Sequence, residues 1–212
     1  MNEIIISIDG RAGSGKEKIS KYISKKYNFF HLDSGVLYRR LAYYLFKKKI
    51  NYSNEKSIKN YLNSINSLSP RNHKCLRKKQ ISKLSSNIAT IPLIRKKINS
   101  QQKKIVKEKL KKHSGCVIDG RDIGSKVFRN ARIKLFIEAK IEIRAKRRHK
   151  QLIEQGEKSI YGEILKEIKL RDKKDSQRKE SPLVIPSRAI LIDNSNSFKE
   201  TVIQIKSALK NL

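Results

Sequence analysis

The chain has 212 residues and a formal net charge of +32, with 51 Lys and Arg against 19 Asp and Glu. That length suits one α/β domain with a small insertion and a core of its own. No apolar run reaches the roughly 18 residues of a membrane helix, so no membrane partner is expected.

In chain order, Ile4–Ile8 is an apolar run of strand length, as in a parallel strand buried on both faces. The start, MNEIIISIDG, runs into this strand without a charged segment and cleavable apolar stretch, which predicts a cytoplasmic location. Gly10-Arg11-Ala12-Gly13-Ser14-Gly15-Lys16 follows and fits G-x-x-x-x-G-K. Glycines let such a loop curl its N–H groups around phosphate oxygens. The next helix adds the positive end of its dipole, and the lysine reaches the outer phosphates. The motif's last position fails: Glu17 and Lys18 stand where a hydroxyl would meet a magnesium ion.

Lys16 to about Tyr27 reads as a helix with Ile19, Tyr22 and Ile23 on one face, and Asn28–Leu32 as a short strand ending in Asp33-Ser34-Gly35. Val36–Lys48 is a helix, with Leu37, Leu41, Tyr44 and Leu45 at helical spacing. This βαβα rhythm predicts a parallel sheet. Asn51 to about Gln80 breaks it: polar, holding Pro70, with a short helix predicted over Ser57–Leu68 and little strand pattern over Leu68–Lys83. It reads equally as a lid or as a solvated excursion. Helices follow at Ile81–Thr90 and Pro92–Lys112, where Pro92 suits a first helical turn.

Cys116–Asp119 is the third strand, running into Gly120-Arg121-Asp122-Ile123-Gly124, and Ile133–Ile137 is the fourth. Ile141–Gln155 is a basic helix carrying Arg144, Arg147 and Arg148. Ile160–Lys174 is a helix whose apolar face is Ile160, Ile164, Leu165 and Ile168. Ala189–Ile192 is the fifth strand, ending in Asp193, and Phe198–Leu209 an amphipathic last helix. Cys75 and Cys116 lack metal or redox spacing and read as reduced thiols; the four histidines form no ligand motif.

Three strands end in polar clusters: Asp9-Gly10, Asp33-Ser34-Gly35 and Asp119 to Asp122. Ligands of open parallel sheets bind beyond the carboxyl ends of the strands, so these clusters should face one crevice. Any one Asp there reads equally as a turn former or helix cap. Arginines Arg39, Arg95, Arg121, Arg144, Arg147, Arg148 and Arg178 near loops and helix ends supply bidentate phosphate donors. Arg171 and Arg188 are assigned to the surface. The charge itself is read as compositional drift, because lysines sit on nearly every predicted helix and no nucleic-acid module is visible.

With these residues in view, the sequence resembles the bacterial cytidylate kinases over nearly its whole length. The segments are SIDGRAGSGK (7–16), LDSGVLYRR (32–40), SSNIATIPLIR (85–95), IDGRDIGSKVF (118–128), RAKRRHKQL (144–152) and RDKKDSQRKESPL (171–183). The resemblance implies a P-loop NTPase-like, three-layer α/β fold with a five-stranded parallel sheet. It implies one kinase domain over 1–212, an inserted acceptor-binding subdomain over 50–82 and a basic helical lid over 141–180. It implies phosphorylation of CMP and dCMP by ATP with Mg2+, on a monomer. By the same resemblance, Gly10, Arg11, Ala12, Gly13, Ser14, Gly15, Lys16, Glu17 and Lys18 form the ATP loop. Ser34, Arg39, Ser86, Arg95, Arg121, Asp122, Asp175 and Arg178 form the acceptor site. Arg39, Arg95 and Arg121 would hold the acceptor phosphate, Asp122 and Asp175 the sugar, and Ser86 and Arg178 the base. Arg144, Arg147 and Arg148 would close over the transferred group, with Lys16 and Arg121 in the reaction zone. Against the family's usual GPSGAGKGT loop, Arg11 replaces a proline, Glu17 a glycine and Lys18 a threonine, and the span between Arg39 and Ser86 is short. A rival reading, prompted by Glu17, Lys18 and the charge, is a nucleotide- or RNA-binding protein with little or no turnover.

Overall fold

The computed structural model describes residues 3–154, 156–210 and 212. Five strands form one sheet in the order β2-β3-β1-β4-β5: β1 (Ile4–Gly10), β2 (Phe30–Asp33), β3 (Gly115–Asp119), β4 (Ile133–Glu138) and β5 (Ile190–Asp193). All four pairings are parallel. β1 sits at the centre, between β3 and β4, and its Ile6 and Ile8 are fully buried, as expected of a parallel strand covered on both faces. Alternation along β3 sends Val117 to one core and Cys116 and Ile118 to the other.

Helices cover both faces. α1 (Lys16–Tyr27) and α8 (Phe198–Ala208) pack on one. α2 (Ser34–Lys47), α3 (Glu55–Ser64), α4 (Lys79–Ile88) and α5 (Pro92–Leu110) form the larger core on the other. α6 (Ile141–Glu154) and α7 (Tyr161–Gln177) pack mainly on each other through Ala145, Leu152, Ile164 and Ile168. Among the described residues, no helix is long and apolar enough to cross a membrane.

Most predicted elements are present, and the differences have local causes. Asn28 is not strand: it ends α1 in the left-handed region (φ 53°), where asparagine is tolerated, so β2 begins at Phe30. α3 starts early because the Asn54 side chain caps it, accepting from Ser57 N at 2.9 Å, and it stops at Ser64. Beyond Ser64, side chains of α5 take the backbone instead: Lys97 donates to Ile65 O (2.6 Å), and Gln101 binds both Asn66 O (3.2 Å) and Leu68 N (3.0 Å). Residues 65–73 carry no regular element before a 3₁₀ turn at Lys74–Arg77. Ile160 is corrected from the apolar face of α7: it precedes the helix and is 63% exposed. Gln155, the predicted last residue of α6, lies outside the described residues.

Candidate active site at the carboxyl edge of the sheet

Strand register builds the site. Asp33, Asp119 and Ile8 lie in one row across β2, β3 and β1, so Asp9 and Gly10 extend one and two residues past it. The three polar clusters therefore share one edge, beside the ends of β1 and β3, from which the chain departs in opposite directions across the sheet, to β2 and to β4.

The loop after β1 is shaped by backbone. Gly10, Gly13 and Gly15 all have positive φ (147°, 74° and 90°). A Cβ at Gly10 would stand 2.2 Å from Ile137 O, so only glycine fits. Lys16 is buried and donates to Arg11 O at 2.7 Å. Burial, reinforced by the nearby Arg121, holds its amine well below the ordinary lysine range. The loop is propped from outside by Arg144, 3% exposed, which donates to Ala12 O (3.1 Å), Ala139 O (2.9 Å) and Asp172 (2.7 Å). Arg11 also lies against Asp172, at 3.7 Å. From the end of β5, the buried Asn194 donates to Ser14 O at 2.8 Å and accepts from Thr201 of α8. Motif spacing gave no hint of Asn194, whose partners lie far away in sequence.

Asp9 serves the segment after β3. Both its oxygens accept backbone N–H bonds, from Ile123 (2.8 Å) and Gly124 (2.7 Å). These bonds draw residues 123–127 into a single π-helical turn absent from the sequence reading. Burial outweighs the two bonds and pushes the Asp9 carboxyl up to about 6.

Around Arg121 and Asp122 the arginines converge. Arg95 of α5 is 4% exposed and pairs with Asp122. Arg178, just past α7, lies 3.9 Å from Asp122 and 3.8 Å from Asp175, and Arg121 bonds Asp175 at 3.0 Å. Arg39 bonds Asp33 at 2.6 Å. Arg171, expected on the surface, is corrected. It is half-buried on α7 within reach of Arg121, Asp175 and Arg39, and burial lowers its guanidinium to about 10. The α7 helix carries Arg171 and Asp175 one turn apart, so the face that presents one presents the other. That spacing was the signal available in the sequence. Several donors here are buried without a hydrogen-bond partner among the described residues: Nε of Arg39, Arg95 and Arg171, Nη2 of Arg178, and the Tyr38 hydroxyl. Ser34 is buried at the start of α2, its hydroxyl against Gly120. Ser86 is half-buried on α4 and makes no hydrogen bond to this group.

The two halves meet at Lys16, which feels the charges of both Arg121 and Arg171. Arg147 lies beside Gly15 with a buried Nη1 unpartnered, and Arg148 bonds Gln151 at 2.9 Å. Three assignments implied by resemblance meet different geometry. Arg144 is a buried tie under the loop, with its guanidinium bound to protein. Lys18 is exposed, and its amine lies 4.0 Å from the centre of the Phe198 ring. Glu17 is held by Lys21 (2.7 Å) and Arg77 (2.8 Å). Among the described residues, no group of three or more His, Cys, Asp or Glu side chains could hold a metal.

A family model described as "Cytidylate kinase" matches residues 6–211. The cytidylate kinase of Fusobacterium nucleatum subsp. nucleatum is 40% identical over 98% of this chain and 97% of its own. That of Bartonella bacilliformis is 37% identical over 92% and 88%. Among solved structures, a gluconokinase from Sinorhizobium meliloti covers 98% of the chain and 91% of its own at a TM-score of 0.50 and 14% identity, a likeness of fold.

Proposed function

Since the chain belongs to the cytidylate kinase family, we propose that it transfers the γ-phosphoryl group of ATP to CMP and dCMP, giving ADP and the corresponding diphosphates. The observation that carries this reading is the arginine cluster. Five guanidinium groups (Arg39, Arg95, Arg121, Arg171, Arg178) face three carboxylates (Asp33, Asp122, Asp175), leaving an excess of two positive charges. Buried donors without partners are costly, on the order of 1–3 kcal/mol each. A phosphate monoester dianion supplies both the missing acceptors and the missing charge.

In this reading Gly10–Lys16 cradles the donor phosphates, with Lys16 between donor and acceptor. Arg39, Arg95, Arg121 and Arg171 hold the acceptor phosphate. Asp122 and Asp175 accept from the sugar hydroxyls, and Arg178, Ser86 and Ser34 line the remainder of the acceptor site. Arg147 and Arg148, on the 141–180 lid, screen charge on the transferred group, while Arg144 keeps the loop in shape. Residues 50–82 form the acceptor-side insertion. Catalysis rests on alignment and preset positive charge, which suits a transition state with little covalent demand on the protein.

Magnesium fits as a partner of ATP. Asp119, at the end of β3 and within the field of Lys16, has its Oδ2 2.7 Å from Nε2 of His31, and its other oxygen would hold a hydrated ion, since Mg2+ keeps several waters and needs few protein ligands. Bound there it would neutralise the β- and γ-phosphates. Glu17, held by two cations, is not needed for this. The rival binding-only reading is not favoured, because the three departures in the loop, at 11, 17 and 18, turn their side chains to other partners and leave the glycine geometry intact. A monomer is sufficient, since every residue named lies on one chain, and a cytoplasmic setting matches the substrates. The test is ADP release with each nucleoside monophosphate in turn. Turnover with CMP and dCMP well above UMP and AMP supports the proposal; retained ATP binding without turnover overturns it.

A further inference from the structure

Arg77 belongs to none of the groups above. It ends the 3₁₀ turn at Lys74–Arg77, on the acceptor side of the molecule. Its Nη2 donates at 2.8 Å to Oε1 of Glu17, the residue directly after Lys16. The same oxygen accepts from Lys21 at 2.7 Å. Two residues beyond Arg77, Lys79 pairs with Glu167 of α7 at 2.6 Å. Residues 74–79 thus reach the donor helix with one end and α7 with the other. Arg148 of α6 lies close enough to feel the Arg77 charge.

A carboxylate in the first turn of α1 creates a conflict. The helix N-terminus attracts anions, and Glu17 competes there with the phosphates that the loop is built to bind. Lys21 lies one turn along the same helix and satisfies Glu17 locally, but Arg77 comes from a separate segment, 60 residues along the chain, and gives the same carboxylate oxygen a second cation. We infer that Arg77 is a positioning residue for the donor loop, supplied by the acceptor-side segment: it turns the Glu17 carboxylate off the bound triphosphate, so that ATP affinity depends on docking of residues 74–79. The inference rests on ATP being the donor, as proposed above.

The experiment is a double-mutant cycle on the full chain with Arg77→Ala, Glu17→Gln and the pair together, plus Arg77→Lys. Each protein is measured for kcat, for KM of both substrates, and for ATP affinity by calorimetry without acceptor. Arg77→Ala is expected to weaken ATP binding about fivefold, the scale of a half-exposed ion pair, with kcat and the KM for CMP changed less than twofold. Arg77→Lys should regain most of the loss. Glu17→Gln in the Arg77→Ala background should return ATP affinity to the wild-type level, because the uncompensated carboxylate is gone. ATP affinity unchanged in Arg77→Ala, or effects of the two substitutions that merely add, overturns the inference. Calorimetry needs no acceptor, so this outcome is separate from the test of CMP turnover.

Discussion

The donor loop and the acceptor cluster sit side by side and are built on opposite plans. In the loop, polar groups already have protein partners: Lys16 on Arg11 O, Ala12 O on Arg144, Ser14 O on Asn194. In the cluster, five buried polar atoms of Tyr38 and of Arg39, Arg95, Arg171 and Arg178 have no hydrogen-bond partner among the described residues. On the function proposed above, the loop would recognise through backbone shape that the protein itself maintains, and the cluster through charge and donors that a ligand completes.

The largest expected effect tests the first plan. Arg144→Met removes the prop beneath the loop and leaves the buried Asp172 with the half-exposed Arg11, 3.7 Å away, as its remaining ion-pair partner among the described residues. It should cost about 3–5 kcal/mol of stability, read by denaturant unfolding. A loss below ~1 kcal/mol would mean that the loop holds its own shape. Next comes Asp9, shared by both regions. Its carboxyl binds a proton more tightly in the fold (about 6) than its ordinary value of 3.8, so its contribution to stability is present below pH ~4 and lost as pH rises through about 6. The difference in unfolding free energy between wild type and Asp9→Asn should therefore shift by roughly 3 kcal/mol across that window. A flat difference would show that the two backbone bonds offset burial completely.

Arg171→Met tests the second plan. It should lower kcat/KM for CMP about a hundredfold while leaving ATP affinity within about twofold, as expected for one charged contact to a phosphate. Equal damage on both substrates would erase the distinction between the regions. The smallest effect is Lys18→Ala, which removes an exposed cation from the face of Phe198. About 0.5 kcal/mol of stability and no change in magnesium dependence are expected. A clear change in magnesium dependence would bring Lys18 back into the donor site.

Legibility in the sequence followed the range of the forces involved. The strand runs, the loop glycines and the helix faces of α1 and α2 are set by local pattern, and they stand close to where the pattern puts them. The convergence of Asp9, Asp33 and Asp119 was readable because parallel strands must share an edge. Arg171 had one signal, its spacing of one helical turn from Asp175, but a lysine-rich chain offers no local contrast between a buried and an exposed cation to give that spacing weight. The stops at Asn28 and Ser64, the π-turn after Asp122 and the tie from Asn194 depend on partners that a window of sequence does not contain. Glu17 and Lys18 were visible as departures, but where their side chains go depends on Arg77 and Phe198.

The tie from Asn194 bears on how the molecule comes into being. Its bond joins two residues 180 positions apart, fastening the first loop of the chain to the last strand and, through Thr201, to α8. Contacts of such separation form late, after most of the loop-closure entropy has been spent. On the ribosome the nucleotide loop emerges early, yet its brace arrives only after β5 has been made. Nascent chains ending before residue 194 should carry a sheet whose nucleotide loop lacks this brace, so the loop is fastened only once β5 and α8 have been made.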